Sequence, residues 1–112
     1  MAEQSSGVPE LLELDIEGEG AERTVRLRGE LDVVTSPNLR EAMLELIDDG
    51  ARTIIVDMSG LELIDSTGLG VLVGVLKRVL QYDGELKLRA PTRHARKVFD
   101  ITGLDRVFTI VD

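Results

Sequence analysis

Hydrophobic and polar residues alternate from Leu12 onward, with Leu12, Leu14 and Ile16 on one face and Glu13, Asp15 and Glu17 on the other. A period of two predicts a half-exposed strand. Gly18 to Glu22 reads as a turn, and Val25 and Leu27 then alternate with Thr24, Arg26 and Arg28, so the two strands most simply form a hairpin. The period changes at Ser36-Pro37, which predicts a helix start: Ser36 as the capping hydroxyl, Pro37 at the first helical position, where its missing N–H costs nothing. Leu39, Met43, Leu46 and Ile47 follow at helical spacing, and Gly50 supplies the stop. Thr53 to Met58 (TIIVDM), an apolar run closed by Asp57, predicts a central parallel strand covered on both faces. Gly60 to Ile64 reads as a connector. A second helix opens at Asp65 or Ser66 and runs to about Tyr82, with Leu69, Leu72, Val73, Leu76 and Leu80 as its buried stripe and Gly84 as its stop. Leu86 and Leu88 mark a short strand. Thr92 caps a third helix that carries Ala95, Val98 and Phe99 and ends at Gly103, and Val107 to Val111 forms a last strand.

The order ββαβαβαβ predicts an α/β fold: a mostly parallel mixed sheet with crossover helices and the N-terminal hairpin as its antiparallel edge. A chain of 112 residues holds one such domain. Apolar residues make up 43% and aromatic ones only 3%, so aliphatic packing has to carry the core. Residues 1–10, MAEQSSGVPE, read as a flexible polar tail, leaving 11–112 as the domain. Without cysteine there is no disulfide scaffold, thiolate metal site or cysteine nucleophile. Thirteen basic against 21 acidic side chains give a net charge of −8, which repels nucleic acid and anionic membrane surfaces. The polar start does not resemble a signal peptide, and the most apolar run, Leu69 to Leu76, is far shorter than a bilayer span of about 20 residues. The expectation is a cytoplasmic protein with neither nucleic acid nor membrane as partner.

The chemistry concentrates in Ile64-Asp65-Ser66-Thr67-Gly68-Leu69-Gly70. Two hydroxyls stand where a loop becomes a helix, and the first N–H groups of a helix lack internal acceptors and sit at the positive end of its dipole. A phosphoryl group attached there finds donors in place. Asp-Ser-Thr before an apolar helix is also an ordinary N-cap. Two glycines in the first turns weigh against a purely structural cap, since each costs a helix about 1 kcal/mol relative to alanine. Gly68 and Gly70 also allow another chain or a nucleotide close to the backbone, whereas Gly74 is explained about as well by close packing onto the sheet.

The run Val56-Asp57-Met58-Ser59-Gly60-Leu61 followed by Ile64 to Gly70 resembles the signature of bacterial anti-sigma factor antagonists, the STAS-domain family. Gly29-Glu30-Leu31-Asp32 and Phe99-Asp100-Ile101-Thr102-Gly103-Leu104 are similar to two further blocks of that family, in the same order, so the resemblance covers about Leu11 to Val111. It implies a STAS-like domain that is no enzyme but a partner switch. Such a protein binds an anti-sigma factor that is also a serine protein kinase, thereby releasing a sigma factor. The kinase phosphorylates the first hydroxyl of the Asp-Ser-Ser/Thr-Gly motif, here Ser66, and a serine phosphatase reverses the modification. Asp65, Thr67 and Gly68 would position the acceptor. Leu69, Gly70 and the segment from Asp32 to Ser36 would form the docking surface, Asp32 matching an acidic position that some members need for phosphorylation or nucleotide contact. No cofactor is implied for the chain itself: ATP and Mg²⁺ belong to the kinase, while weak nucleotide binding, known in some members, stays open.

Three other chemistries fit less well. A phospho-aspartyl receiver would use Asp57, but the acidic pair after the first strand and the lysine near the last are not evident. Gly68-Leu69-Gly70 with Gly74 has the wrong spacing for a dinucleotide fingerprint. The Gly-x-Ser-x-Gly elbow of hydrolases is absent, and the single histidine, His94, reads as a solvated surface residue among Arg93, Arg96 and Lys97, a basic patch that is either a solvated helix face or a contact for an acidic partner.

Overall fold

In the computed structural model, which describes residues 12–112, the predicted alternation of strands and helices is realised in a five-stranded sheet. The elements are β1 (Leu12–Glu17), β2 (Glu22–Leu31), α1 (Ser36–Asp48), β3 (Thr53–Ile64), α2 (Ser66–Leu80), β4 (Glu85–Arg89), α3 (Arg93–Thr102), a 3₁₀ turn at Leu104–Arg106 and β5 (Thr109–Val111). The tail assigned to residues 1–10 lies outside the described residues. Strands follow one another in sequence order across the sheet, β1 antiparallel to β2 and every later pair parallel.

With strands in sequential order, right-handed crossovers carry every helix to the same face. Burial follows that rule and corrects the expectation that the Thr53–Met58 strand is covered twice. Val25, Val56 and Leu88 are buried beneath the helices, while their neighbours Arg26, Asp57 and Arg89 line the other face and keep contact with solvent. The strand is also longer than the apolar run, because Gly60 to Ile64 continues it and pairs with the end of β2 up to Leu31 opposite Ile64. The last strand is shorter than Val107–Val111, since the N–H groups of Val107 and Phe108 both close the 3₁₀ turn on the Leu104 carbonyl.

The buried stripe of α2 is Gly68, Leu69, Leu72, Val75 and Val79. Leu80, expected within it, is 53% exposed. Thr92 caps α3 as anticipated: its hydroxyl accepts from the Ala95 N–H at 3.2 Å and donates to the Leu61 carbonyl at 3.1 Å, fastening the helix start to β3. Gly103 closes the same helix at φ 77°, a left-handed conformation that suits glycine.

The helix-free face is held by charge. Arg26 and Arg89 flank Asp57 in the strand register; Asp57 Oδ2 accepts from Arg89 at 3.1 Å and lies 3.7 Å from the Arg26 guanidinium. Its Oδ1 accepts from the Ser59 N–H at 2.9 Å and the Ser59 hydroxyl at 2.7 Å. Burial by itself pushes this carboxyl up, but the two Ser59 bonds and Arg89 together hold it below the usual carboxylate range. Asp57→Asn should therefore lose about 2 kcal/mol, the scale of hydrogen bonds to a charged group. Because the folded-state pKa is lowered, Asp57 contributes fully above the unfolded carboxylate value of about 3.9 and its contribution disappears as pH falls through the folded value. Urea melts at pH 7 and at pH 3 test this: the gap between parent and variant should narrow in acid, and an unchanged gap contradicts the assignment.

Candidate functional site

The C-terminal ends of β2, β3 and β4 carry the loops that lead into the three helices, and the predicted chemistry lies at this edge. Asp65 is the N-cap of α2, extended at φ −112° and ψ −176°. Its Oδ1 accepts from the Gly68 N–H at 2.9 Å, and its own N–H donates to the Leu31 carbonyl at 3.1 Å. Asp65 thus joins the helix start, through its carboxylate, to the end of the neighbouring strand, through its backbone N–H. Ser66 is the first helical residue and exposed, and among the described residues the N–H groups of Ser66 and Thr67 have no acceptor. These are the free donors expected of a first turn, placed beside an accessible hydroxyl.

Thr67 is exposed as well, so burial does not separate the two hydroxyls; Thr67 faces the groove toward α1. The glycines divide by environment. A Cβ on Gly68 would lie 2.6 Å from Leu31 Cγ and 3.0 Å from the Leu31 carbonyl oxygen, so this glycine is demanded by packing. At Gly70 and Gly74 an added Cβ meets nothing within 4 Å, and both residues are exposed. Packing onto the sheet therefore does not account for Gly74.

Asp32 folds the loop after β2. Its Oδ1 accepts from the N–H groups of Val34 at 3.0 Å and Thr35 at 3.1 Å, while the Thr35 hydroxyl donates to the Glu30 carbonyl at 2.8 Å and accepts from the Asp32 N–H at 3.0 Å. The result is a tight turn whose tip, Val33 and Val34, is 65% exposed at each residue. Two expectations for the docking surface change here. Ser36 is only 2% exposed because Thr35, not Ser36, takes the N-cap position and Ser36 becomes the first helical residue, turned into the core. Leu69 is 6% exposed, facing the sheet. Exposed apolar surface in this segment comes instead from Val33 and Val34, which an apolar pattern reads as core.

Asp57 stands within β3, bound between two arginines, and not at the mouth of a strand. Among the described residues, no three histidine, aspartate or glutamate side chains converge to hold a metal ion. His94, Arg93, Arg96 and Lys97 are all exposed on α3, with Arg96 paired to Asp112.

A family model of the STAS domain matches residues 13–112. The chain belongs to the STAS-domain family. An anti-sigma-B factor antagonist of Staphylococcus aureus is 42% identical over 80 residues, covering 71% of this STAS domain's chain and 74% of the relative. The structure of the anti-sigma factor antagonist SpoIIAA in its unphosphorylated form aligns with a TM-score of 0.76 at 25% identity, covering 89% of each chain. The Bacillus cell fate determinant SpoIIAA in its phosphorylated form aligns with a TM-score of 0.71 at 25% identity, covering 89% of this chain and 92% of that one. No helix among the described residues is long and apolar enough to cross a membrane.

Proposed function

We propose that this STAS domain is an anti-sigma factor antagonist: it binds an anti-sigma factor and is switched off by phosphorylation of Ser66. The observation that carries the reading is the exposed Ser66 hydroxyl at a helix start with free N–H donors, in a chain closely similar to a named anti-sigma-B factor antagonist. Asp65 positions the acceptor by anchoring the turn to Leu31, and Gly68 lets that turn sit close to β2.

In this reading the chain is a substrate and a binding partner. A serine kinase, the anti-sigma factor itself, brings ATP and Mg²⁺, and a serine phosphatase reverses the reaction. The γ-phosphoryl group passes to Ser66 Oγ, the hydroxyl proton leaves to the kinase's base or solvent, and ADP departs. The product carries about −1.5 to −2 charges at neutral pH. The adjacent N–H groups of α2 donate to that anion within the free protein, so the fold survives while the partner loses a neutral surface.

The acceptor is expected to be Ser66 and not Thr67, since Ser66 is the exposed first residue of α2 and the first hydroxyl of the motif. After incubation with the cognate kinase and ATP, fragmentation mass spectrometry should place the phosphate on Ser66. A phosphate on Thr67, or one that survives Ser66→Ala, overturns the assignment.

A further inference from the structure

We propose that Thr35 is a positioning residue for the phosphorylation of Ser66. Its buried hydroxyl fixes the turn from Asp32 to Thr35, so that Val33 and Val34 meet the kinase as a rigid apolar contact. This role rests on the antagonist reading.

Threonine at an N-cap ordinarily accepts from an N–H of the helix it opens. Thr92 does so for the Ala95 N–H of α3 at 3.2 Å, and Asp65 for the Gly68 N–H of α2 at 2.9 Å. Thr35, the N-cap of α1, makes no such bond. Its hydroxyl turns back into the loop, donating to the Glu30 carbonyl at 2.8 Å and accepting from the Asp32 N–H at 3.0 Å, with the residue only 5% exposed. The start of α1 is served by other means. Pro37 has no N–H to satisfy, and the N–H groups of Asn38 and Leu39 share the Thr35 carbonyl at 3.1 and 3.4 Å. The side chain is thereby released from the helix and given to the turn.

That turn carries Val33 and Val34, each 65% exposed, β-branched and so stiff about χ1. An apolar contact of fixed shape loses little freedom on binding. The turn and the phosphoacceptor also hang from consecutive carbonyls at the end of β2: the Thr35 hydroxyl from Glu30, and the Asp65 N–H from Leu31 at 3.1 Å. The tip therefore stands in a set relation to Ser66, the residue after Asp65. The two anchors divide the work. Asp65 holds the hydroxyl that reacts, and Thr35 holds the contact that brings the kinase to it. Loss of the Thr35 hydroxyl should accordingly fall on KM and spare kcat.

Steady-state phosphorylation decides this, with each serine-kinase anti-sigma factor encoded in the source genome, purified and supplied with ATP and Mg²⁺, and the chain as the varied substrate. Thr35→Val keeps the shape and removes the hydroxyl. It should raise KM roughly fivefold or more with kcat within about twofold of the parent, while Thr35→Ser should keep the parent KM. The double variant Val33→Ser, Val34→Ser should raise KM likewise and melt close to the parent, so the tip is tested even if Thr35→Val fails to fold. Thr92→Val is the control: its hydroxyl also bridges an N–H and a strand carbonyl, and its loss should lower Tm without moving KM. A parent-like KM in folded Thr35→Val or in the tip variant overturns the proposal. So does a loss carried by kcat, or a KM raised as much by Thr92→Val as by Thr35→Val. With the parent phosphorylated on Ser66, each of these leaves the antagonist reading standing. A parent chain that none of the kinases phosphorylates overturns both.

Discussion

Ser66→Glu is expected to bind the anti-sigma factor at least a hundredfold more weakly than the parent, while Ser66→Ala binds and both variants melt close to the parent. A neutral hydroxyl is covered by a partner at modest cost once it finds one hydrogen bond. A carboxylate there must be stripped of water against a chain that already carries −8, without a cation supplied for it. That penalty is several kcal/mol, and each ~1.4 kcal/mol is tenfold in affinity. The fold is untouched because Ser66 is exposed and the first turn of a helix tolerates a negative side chain. Titration against the kinase and a thermal melt of each variant measure the two halves separately. Parent-like binding by a folded Ser66→Glu means that charge at this position is not the switch.

Gly68→Val should act in the opposite way, on the fold before the interface. Its first added carbon falls 2.6 Å from Leu31 Cγ and 3.0 Å from the Leu31 carbonyl oxygen, and the oxygen belongs to a strand end that Asp65 also holds. Overpacking of this kind costs about 2–3 kcal/mol, which in a domain of this size lowers Tm by roughly 10–20 °C. Gly74→Ala is the internal control. It replaces an exposed helical glycine with nothing in its way and should stabilise by up to about 1 kcal/mol. Opposite signs at two glycines of one helix separate packing from propensity. A Gly68→Val protein that melts with the parent contradicts the packing account.

The sequence made the succession of strands and helices and most helix ends legible, because Asp65, Thr92 and Gly103 are residues whose chemistry marks a boundary. Where it misled, a physical reason is visible. Gly60 to Ile64 reads as a connector because the β2–β3 register shifts twice there and the period of two is broken. The phase of α2 is hidden in the sequence because the helix is apolar almost all round from Leu69 to Leu76, lying against both the sheet and α1. The apolar run Thr53 to Met58 implies coverage on both faces, whereas sequential strand order puts the helices on one. At the site, Ser66, Asp65 and Gly68 stood out in the motif. The exposed pair Val33 and Val34 did not, since an apolar loop tip is told from core only when the loop is placed on the fold.

Release of a sigma factor tests the central claim most directly. A complex of the cognate anti-sigma factor with fluorescently labelled sigma factor is titrated with the chain before and after kinase treatment, and free sigma is followed by anisotropy. The unmodified protein should release sigma stoichiometrically; the Ser66-phosphorylated protein should release none until a serine phosphatase is added. Equal release by both forms would contradict switching at Ser66, and release by neither would contradict the antagonist function itself.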